Sequence, residues 1–293
     1  MPLRNGLDMN EKEVSVIGDR VFTPRASIII SVYNRIDYLR LVLAGLEIQT
    51  CKDFEVIISD DGSNAEFIQA LQELIKSSSL KIKHNWHPDE GFRKNMILNK
   101  SIQLSVSDYL IFIDGDCIPH PHFIEEHLKH TENKVCLCGR RINLSKRITK
   151  KLTPEKVKNN YLQRFTTAIE MFFDFFRLKL YHVMNGFYVK NRLLLKYLNR
   201  KERGLLGSNF SLHKADIIAI NGFDERYTKP TFGEDSDIEF RLRLTKEKFK
   251  PLMNIAVQYH CYHVELPRPL ENKELFEKIV KEERAYTLFG IIK

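Results

Sequence analysis

The sequence predicts an α/β protein with a mostly parallel central sheet and helices on both faces. Over the first 120 residues, short apolar segments rich in β-branched residues alternate with stretches whose apolar residues recur at helical spacing. Strands and helices that alternate in this way form parallel sheets. Residues 109–113 carry no charge and combine aromatic with β-branched side chains, which is typical of a central strand buried on both faces.

Each predicted element rests on a local pattern of this kind. In the first half, strands are predicted at residues 26–33, 54–59, 80–85 and 109–113, and helices at 38–46, 65–76 and from Gly91 onwards. In the second half, helices are predicted at residues 123–130, 161–181, 215–220, 233–244 and 271–293, and strands at 134–142, after Gly207 and at 255–263.

Length and composition fit one large or two small soluble domains. The 293 residues are 43% hydrophobic and 29% charged, which is ordinary for a globular protein. No apolar run approaches the roughly 20 residues of a membrane-spanning helix, and the N-terminus lacks the apolar core of a signal peptide. Five scattered cysteines, an odd number, indicate reduced thiols rather than a disulfide framework. We therefore expect a cytoplasmic protein.

The net charge of +8 is concentrated in residues 146–203, which we call the basic segment. It contains 15 Lys or Arg against 4 Asp or Glu, a local charge of +11, so the rest of the chain carries −3. Its predicted helix at 161–181 is rich in aromatic residues. We expect this segment to dock on an anionic membrane surface, through basic residues and through Phe172, Phe173, Phe176 and Tyr181. The alternative is a helical subdomain whose aromatic residues pack on the core.

An acidic motif, Asp114-Gly115-Asp116, follows the strand predicted at 109–113. Open α/β sheets bind their ligands at the carboxyl ends of the strands. Gly115 leaves room for phosphates to approach the backbone, and two carboxylates suit Mg²⁺ or Mn²⁺ holding a diphosphate. The alternative is an ordinary Asp-Gly turn.

Further polar residues are predicted at the same edge of the sheet. Asp60 and Asp61 end the second strand and could accept hydrogen bonds from a base N–H and from ribose hydroxyls, or simply form a turn. Arg93 lies where a helix is expected to begin, and helix N-termini favour anions. It could steer a uracil carbonyl or a phosphate, or be a solvated charge.

The second half offers a possible general base and further metal ligands. Glu234, Asp235 and Asp237 follow Gly233 at a predicted helix start. A carboxylate there could take the proton of an attacking hydroxyl, although helix capping also explains acidic residues at that position. His260 and His263 could ligate a metal or could be structural histidines.

These motifs, in their order along the chain, resemble those of family 2 glycosyltransferases with the GT-A fold. The resemblance is carried by residues 27–35, 60–63, 91–95 and 114–116. Residues 207–211, 221–224 and 233–237 are similar to the C-terminal region of galactosyltransferases, including the β-1,4 enzymes and bacterial chondroitin-type polymerases. The resemblance covers about residues 26–144 and 205–265, so the basic segment lies outside it and would be a helical insertion.

The resemblance implies roles for individual residues. Asp60 would contact uracil, Asp61 the ribose region, and Arg93 would lie over the nucleotide. Asp235 would be the catalytic base, with Glu234 as an acceptor contact. The resemblance implies that the donor nucleotide is bound by Ser31, Tyr33, Arg35, Asp60, Asp61, Arg93, Asp114, Gly115 and Asp116. The implied acceptor residues are Glu234, Asn209 and Phe232. The implied metal ligands are Asp116, Asp114, His263 and His260.

We therefore expect an inverting, Mn²⁺- or Mg²⁺-dependent enzyme. It would transfer galactose or N-acetylgalactosamine from UDP to a saccharide or lipid-linked saccharide in bacterial surface polysaccharide or lipooligosaccharide synthesis. Residues 1–25 would be a lead-in and 266–293 a helical tail. One domain at 26–265 would comprise a nucleotide-binding half (26–120) and an acceptor and catalytic half (121–265).

Other classes of protein fit the sequence less well. A catalytically inert nucleotide-sugar binding module is the main alternative. A dinucleotide-dependent oxidoreductase is disfavoured because Tyr33-Asn34-Arg35, and no glycine-rich loop, follows the first strand. No nucleic-acid partner is expected, since no nucleic-acid-binding motif accompanies the basic segment.

Overall fold

The computed structural model describes residues 23–178, 186–264 and 269–293, with side chains at 175–178 excluded. Most of the predicted lead-in, the end of the helix predicted at 161–181, and the side chains of Phe176 and Tyr181 therefore lie outside the described residues. Within the described ranges the chain forms a seven-stranded sheet, a three-stranded sheet and flanking helices.

The large sheet has the strand order β3-β2-β1-β4-β8-β6-β9. Its first four strands, all parallel to one another, are β1 (Ala26–Val32), β2 (Phe54–Asp60), β3 (Ile82–Trp86) and β4 (Tyr109–Asp114). The others are β6 (Val135–Cys138), β8 (Asn209–His213) and β9 (Lys248–Pro251). β8 runs antiparallel to both β4 and β6, whereas β9 is parallel to β6. The predicted mostly parallel sheet is thus confirmed.

The register of the central strands creates one polar edge. Every residue of β2 is buried, as is nearly every residue of β1 and β4, because these strands are covered on both faces. Val32 pairs with Asp60, and Ser31 pairs with Asp114. The carboxyl ends of three neighbouring strands therefore stop together, and the polar residues that follow them share one edge of the sheet.

Helices cover both faces of the large sheet, as predicted. Alternate residues of β1 enter different apolar cores: Ile28 and Ile30 belong to one, and Ile29 belongs to the other. The first core includes α1 (Ile36–Glu47), α2 (Ala65–Ser77) and α4 (Phe123–Lys129). The second includes α3 (Lys94–Leu104), α9 (Lys214–Ala219) and α10 (Glu234–Leu244).

A separate three-stranded sheet carries residues of the second half. Its order is β5 (Cys117–Pro119), β10 (Val257–His260) and β7 (Arg140–Asn143). The single strand predicted at 134–142 is wrong, because β6 and β7 belong to different sheets and Gly139 separates them. The N–H of Gly139 donates to the carbonyl of Asn209 at 2.9 Å, and a Cβ at Gly139 would lie 2.0 Å from Asn209 Oδ1. The chain can change sheets here because glycine has no side chain.

The basic segment is helical but more divided than predicted. It contains α5 (Lys146–Lys151), α6 (Pro154–Lys158), a 3₁₀ turn at Tyr161–Gln163, α7 (Phe165–Leu178) and α8 (Arg192–Leu198). The helix predicted from residue 161 thus begins at Phe165. Met171 of α7 is buried in the first core, whereas Phe165 and Phe173 are exposed. α7 therefore packs on the protein through one side and presents aromatic rings on another.

Other element boundaries also differ from the predictions. The helix expected from Gly91 begins at Lys94, and the strand expected at 255–263 is limited to β10. The helix expected at 271–293 is α11 (Leu270–Glu282). The following residues leave the helix because they pack on the turn after α9, where the Asn221 side chain donates to the carbonyls of Thr287 and Ile292.

Candidate active site

A cleft of about 470 Å³ lies at the carboxyl ends of β1 and β4. Its position follows from the register of the sheet, which ends these strands side by side. Seven of the nine predicted donor-nucleotide residues line the cleft: Ser31, Tyr33, Arg35, Asp61, Asp114, Gly115 and Asp116.

Asp60 and Arg93, the other two predicted donor residues, do not line this cleft. Asp60 is fully buried; one carboxylate oxygen accepts from the Ser63 N–H at 2.9 Å, and the other accepts from His84 at 2.9 Å. The Arg93 guanidinium donates to the carbonyl of Phe92 at 3.1 Å. Asp60 thus stabilises the turn after β2 and is not placed to contact uracil, and the Arg93 side chain points at its own loop.

Asp61 connects the cleft with that loop. Its carboxylate accepts from His87 at 2.8 Å and from the Arg93 N–H at 2.9 Å, so Arg93 contributes through its backbone. Burial raises the pKa of Asp61 although the hydrogen bond from His87 opposes the shift. On the facing wall, the Tyr33 hydroxyl donates to Asp89 at 2.9 Å. These contacts fix the walls of the cleft.

Asp116, His260 and His263 form a compact triangle beside the cleft. Asp116 Oδ2 lies 3.3 Å from Nε2 of each histidine, and the two Nε2 atoms are 3.1 Å apart. Pairing of β5 with β10 brings the residues together, because the Cys261 N–H donates to the carbonyl of Asp116 at 2.9 Å. Adjacent ligands of an octahedral ion with bonds of ~2.1 Å lie ~3 Å apart, so the triangle fits Mg²⁺ or Mn²⁺.

The surroundings of the triangle keep its carboxylate ionised, whereas the hydrogen bond to Asp116 raises the pKa of His263, so a metal ion would take the place of that proton. Burial raises the pKa of Asp116, but hydrogen bonds from His260 and His263 outweigh burial and hold it well below its ordinary value. Asn143 lies 3.1 Å from Nδ1 of His260 and orients the ring, as neighbours of metal-binding histidines do. Burial raises the pKa of the Cys117 thiol, which donates to Asp116 and is therefore not a thiolate ligand.

Asp114 is held by three neighbours. It accepts from the Ser31 hydroxyl at 2.8 Å, and Lys94 Nζ and Arg141 Nη1 lie 3.3 Å and 3.7 Å away. Burial raises its pKa, but the Lys94 charge, aided by Arg141, outweighs burial and lowers it. Asp114 is therefore a carboxylate at neutral pH, and Lys94 shares it with any bound ion.

Lys94 and Arg141 are functional candidates that the sequence reasoning missed. Lys94 Nζ lies between Asp114 and Glu234, 3.3 Å from the former and 3.9 Å from the latter, so it links the end of β4 to the start of α10. Lys94 directly follows Arg93, which is predicted from the sequence to contact the nucleotide. Arg93 precedes α3, whereas Lys94 is the first residue of that helix. Arg141 belongs to β7, which the prediction of a single strand at 134–142 did not separate from β6. The available signal was the pair Arg140-Arg141 after the apolar residues 135–138.

Glu234 and Asp235 begin α10 on the far side of Lys94. Asp235 accepts from the Gly207 N–H at 2.8 Å, and a Cβ at Gly207 would lie 2.0 Å from Asp235 Oδ1. Burial raises the pKa of Glu234 to about 7 and also raises that of Asp235. Asp237 has a different role, because both Arg241 Nε and Nη2 donate to it in the interior.

The two other predicted acceptor residues occupy structural positions. Asn209 is fully buried; it donates to the carbonyls of Arg140 at 2.9 Å and Ala256 at 3.0 Å. Its oxygen accepts from His127, whose pKa burial lowers to about 3, so that the imidazole is neutral. Asn209 therefore ties β8 to the second sheet. Phe232 packs edge-on against Phe276 of α11.

Within the described ranges, every helix is too short or too polar to cross a bilayer.

Comparisons with known proteins place this arrangement in a family. The family model "Glycosyl transferase family 2" matches residues 27–186. Chondroitin synthase of Escherichia coli is 28% identical over 239 residues, which cover 80% of this chain and 34% of that protein. The uncharacterized glycosyltransferase YfnE of Bacillus subtilis is 27% identical over 267 residues, covering 82% of this chain and 65% of the relative. The chain spans less than two thirds of the length of these relatives.

Solved structures share the fold at low sequence identity. GalNAc-T7 with UDP, GalNAc and Mn²⁺ has a TM-score of 0.58 at 14% identity, over 88% of this chain and 48% of that chain. Staphylococcus aureus TarS 1–349 with UDP has a TM-score of 0.54 at 17% identity, over 88% of this chain and 65% of that chain. The predicted GT-A fold is confirmed, and the chain belongs to glycosyl transferase family 2.

Proposed function

We propose that residues 26–265 form the catalytic domain of an inverting, metal-dependent glycosyltransferase that uses a UDP-sugar. The observation that carries this proposal is the triangle of Asp116, His260 and His263 beside a cleft at the carboxyl ends of the strands. A metal ion at such a centre would help to bind a nucleotide diphosphate and would stabilise its charge as the leaving group. The structural relatives GalNAc-T7 and the mannosyltransferase PcManGT were solved with Mn²⁺, which supports a metal site formed by these three residues.

Asp116, His260 and His263 would hold Mn²⁺ or Mg²⁺, with Asp114 as a further carboxylate. The ion would supply positive charge against the diphosphate leaving group. Lys94 keeps its proton there: burial lowers its pKa, but the charge of Asp114, followed by that of Glu234, outweighs burial and raises it. The lysine therefore adds a fixed positive charge to the same wall, in a buried setting where electrostatic stabilisation is strongest.

Asp235 is the proposed general base. A sugar hydroxyl is a weak nucleophile until a positioned base takes its proton, and a carboxylate with a raised pKa does this better than an ordinary one. The Gly207 N–H fixes one carboxylate oxygen, which orients the other. The attacking oxygen then meets the anomeric carbon on the side opposite UDP, and the configuration inverts. Glu234, beside it, would hold the acceptor sugar.

The donor sugar is proposed as galactose or N-acetylgalactosamine. Support comes from the motifs of the second half and from GalNAc-T7, solved with UDP and GalNAc. TarS was solved with UDP-GlcNAc and PcManGT with GDP-Man, so the fold accommodates other donors. We place the reaction in bacterial surface polysaccharide or lipooligosaccharide synthesis. A catalytically inert nucleotide-sugar module is the second candidate, and the adjacent carboxylates of buried Glu234 and half-buried Asp235 argue against it.

The basic segment is proposed to dock the enzyme on the cytoplasmic face of a membrane, near a lipid-linked acceptor. Phe165 and Phe173 are 80% and 61% exposed on α7. Each basic residue close to an anionic surface adds about 1 kcal/mol of binding free energy. Flotation with phosphatidylglycerol vesicles at low salt tests the proposal: wild type should float, Phe165→Ser/Phe173→Ser should float less, and a wild type that stays at the bottom would refute docking.

The decisive experiment for the catalytic proposal is a screen of UDP-sugars by UDP release. Wild type, Asp235→Asn and the exposed control Asp53→Asn are compared with Mn²⁺ and with EDTA. Metal-dependent turnover of one donor, lost in Asp235→Asn and kept in Asp53→Asn, is the expected result. Metal-dependent UDP binding with no turnover of any donor by wild type would favour the inert module, and absence of UDP binding would refute both.

A further inference from the structure

A second cavity, of about 880 Å³, lies against the outer side of the metal triangle. It shares Arg35 and Pro230 with the nucleotide cleft, so the two spaces adjoin. His260 and His263 form part of its wall. Pro230 and Thr231 line it as well, and they lie in the loop that leads directly into α10. The cavity therefore adjoins both the metal triangle and the loop that precedes α10.

The charge of this cavity is one-sided. The described lining of the cavity contains no carboxylate. It contains four cationic side chains, those of Arg35, Arg141, Lys146 and Lys150. Arg35 is neutralised by Asp37 at 3.3 Å, and Arg141 lies 3.7 Å from Asp114. Lys146 and Lys150 have no carboxylate partner within 4.0 Å in the described ranges. Among the described residues, these two positive charges therefore have no ion-pair partner.

The two lysines are held in place as a pair. They lie four residues apart on α5, so they share one face of the helix. Between them, Ile148 and Thr149 are buried, and the Thr149 hydroxyl accepts from the N–H of Tyr262 at 2.9 Å. This contact fixes α5 to the segment that carries His260 and His263. The lysine face therefore keeps a defined position beside the reaction centre.

The donor does not account for these charges. The diphosphate of a UDP-sugar is assigned to the cleft, where a metal ion held by Asp116 and Asp114 would balance its charge, with Lys94 adding a further positive charge. The second cavity is lined by the two histidines and by the loop that precedes α10, so an acceptor bound there would lie next to the proposed reaction centre. An uncompensated cationic pair in that position selects a negatively charged group.

We propose that this cavity binds an anionic group of the acceptor, a carboxylate or a phosphate, through Lys146 and Lys150. The proposal rests on the proposed function, because it names the chemical class of the acceptor for the same site. A uronic acid would supply a carboxylate, and a lipid-linked or phosphorylated saccharide would supply a phosphate. The two sources share one chemistry and can be distinguished by experiment.

The test uses the full chain loaded with UDP and Mn²⁺, so that the donor site is occupied. Binding of glucuronate, glucose 1-phosphate and neutral glucose is followed by NMR at low and at high salt. Wild type is compared with Lys146→Gln/Lys150→Gln. The matched control is Lys196→Gln/Lys201→Gln, which removes the same charge from exposed positions of the basic segment outside the cavity.

At least one anion should bind wild type more tightly than glucose, and salt should weaken it. Its affinity should fall about tenfold in Lys146→Gln/Lys150→Gln, which corresponds to ~1.4 kcal/mol, and should be unchanged in the control. Preference for glucuronate would indicate a uronic acid acceptor, and preference for glucose 1-phosphate a phosphorylated one.

Three outcomes would overturn the inference: no anion binds better than glucose, both double variants lose affinity equally, or UDP competes with the anion. The last would assign the lysines to the donor. UDP binding is measured on the same samples and reports separately on the proposed function. Retained UDP binding with indifference to anions would refute this inference alone.

Discussion

Replacing Glu234 by glutamine should remove one pH-dependent contribution to the unfolding free energy, which a comparison with wild type would reveal. Glu234 is 7% exposed, and its Oε2 has no hydrogen-bond partner in the described structure. Burial raises its pKa from 4.5 to about 7, although Lys94 opposes the shift. At about 1.4 kcal/mol per pH unit, this difference corresponds to ~3 kcal/mol of unfolding free energy.

The sign follows from proton binding. Between pH 4.5 and 7 the folded protein retains the Glu234 proton, whereas the unfolded chain has lost it. The contribution of the protonated carboxyl is therefore complete below pH 4.5 and is lost as the pH rises through 7. Glu234→Gln removes this titration. The unfolding free energy of the variant minus that of wild type should therefore rise by ~3 kcal/mol between pH 4.5 and 8. Any pH-independent effect of the substitution leaves this rise unchanged.

Urea unfolding of the metal-free protein, followed by circular dichroism from pH 4.5 to 9, measures this difference directly. Glu271→Gln, at an exposed position of α11, is the matched control and should differ from wild type by the same small amount at every pH. A gap between wild type and Glu234→Gln that stays constant across the range would refute the reasoning, because it would mean that burial does not retain the Glu234 proton.

Three further predictions concern buried or clustered residues. Asp237→Asn should lower the unfolding free energy by about 3–5 kcal/mol in urea titrations, because Arg241 is left as a buried charge without its carboxylate; a loss below 1 kcal/mol would contradict this. Gly139→Ala should cost ~1–3 kcal/mol by calorimetry, since its methyl group has no space; an unchanged melting temperature would argue otherwise. His260→Ala should weaken Mn²⁺ binding at least about tenfold by titration calorimetry, whereas His122→Ala should not; equal losses would exclude a specific ligand.

The parallel half of the fold was predictable because burial leaves a strong signal there. β1, β2 and β4 are covered on both faces, so their sequences are nearly continuous apolar runs that end in polar residues. Parallel strands in register end at one edge, which brings Ser31, Asp61 and Asp114 to one cleft. The cleft thus follows from strand order alone.

The direction of individual side chains could not be predicted in the same way. Asp60 and Asp61 are adjacent, and successive side chains of an extended chain point to opposite sides. Both are buried, but only Asp61 lines the cleft. The sequence does not state which is which. Arg93 and Lys94 present the same problem at the start of α3.

Long-range packing was also beyond the sequence pattern. Asn209 was expected to contact the acceptor, but its side chain donates to the carbonyl of Arg140 in β7 and to that of Ala256, just before β10; this role depends on where Gly139 redirects the chain. Nothing in the local sequence of β8 distinguishes an amide that faces a ligand from one that joins two sheets.

The antiparallel pairing of β8 with β4 has a consequence during synthesis. β1 to β4 are complete once residue 114 has been made, but β8 arrives only at residues 209–213. Until then, one edge of β4 has no partner, and its apolar sequence is the kind that recruits another chain. A ribosome-bound or truncated chain that ends before β8 should therefore aggregate through β4, and extension through residue 213 should suppress this.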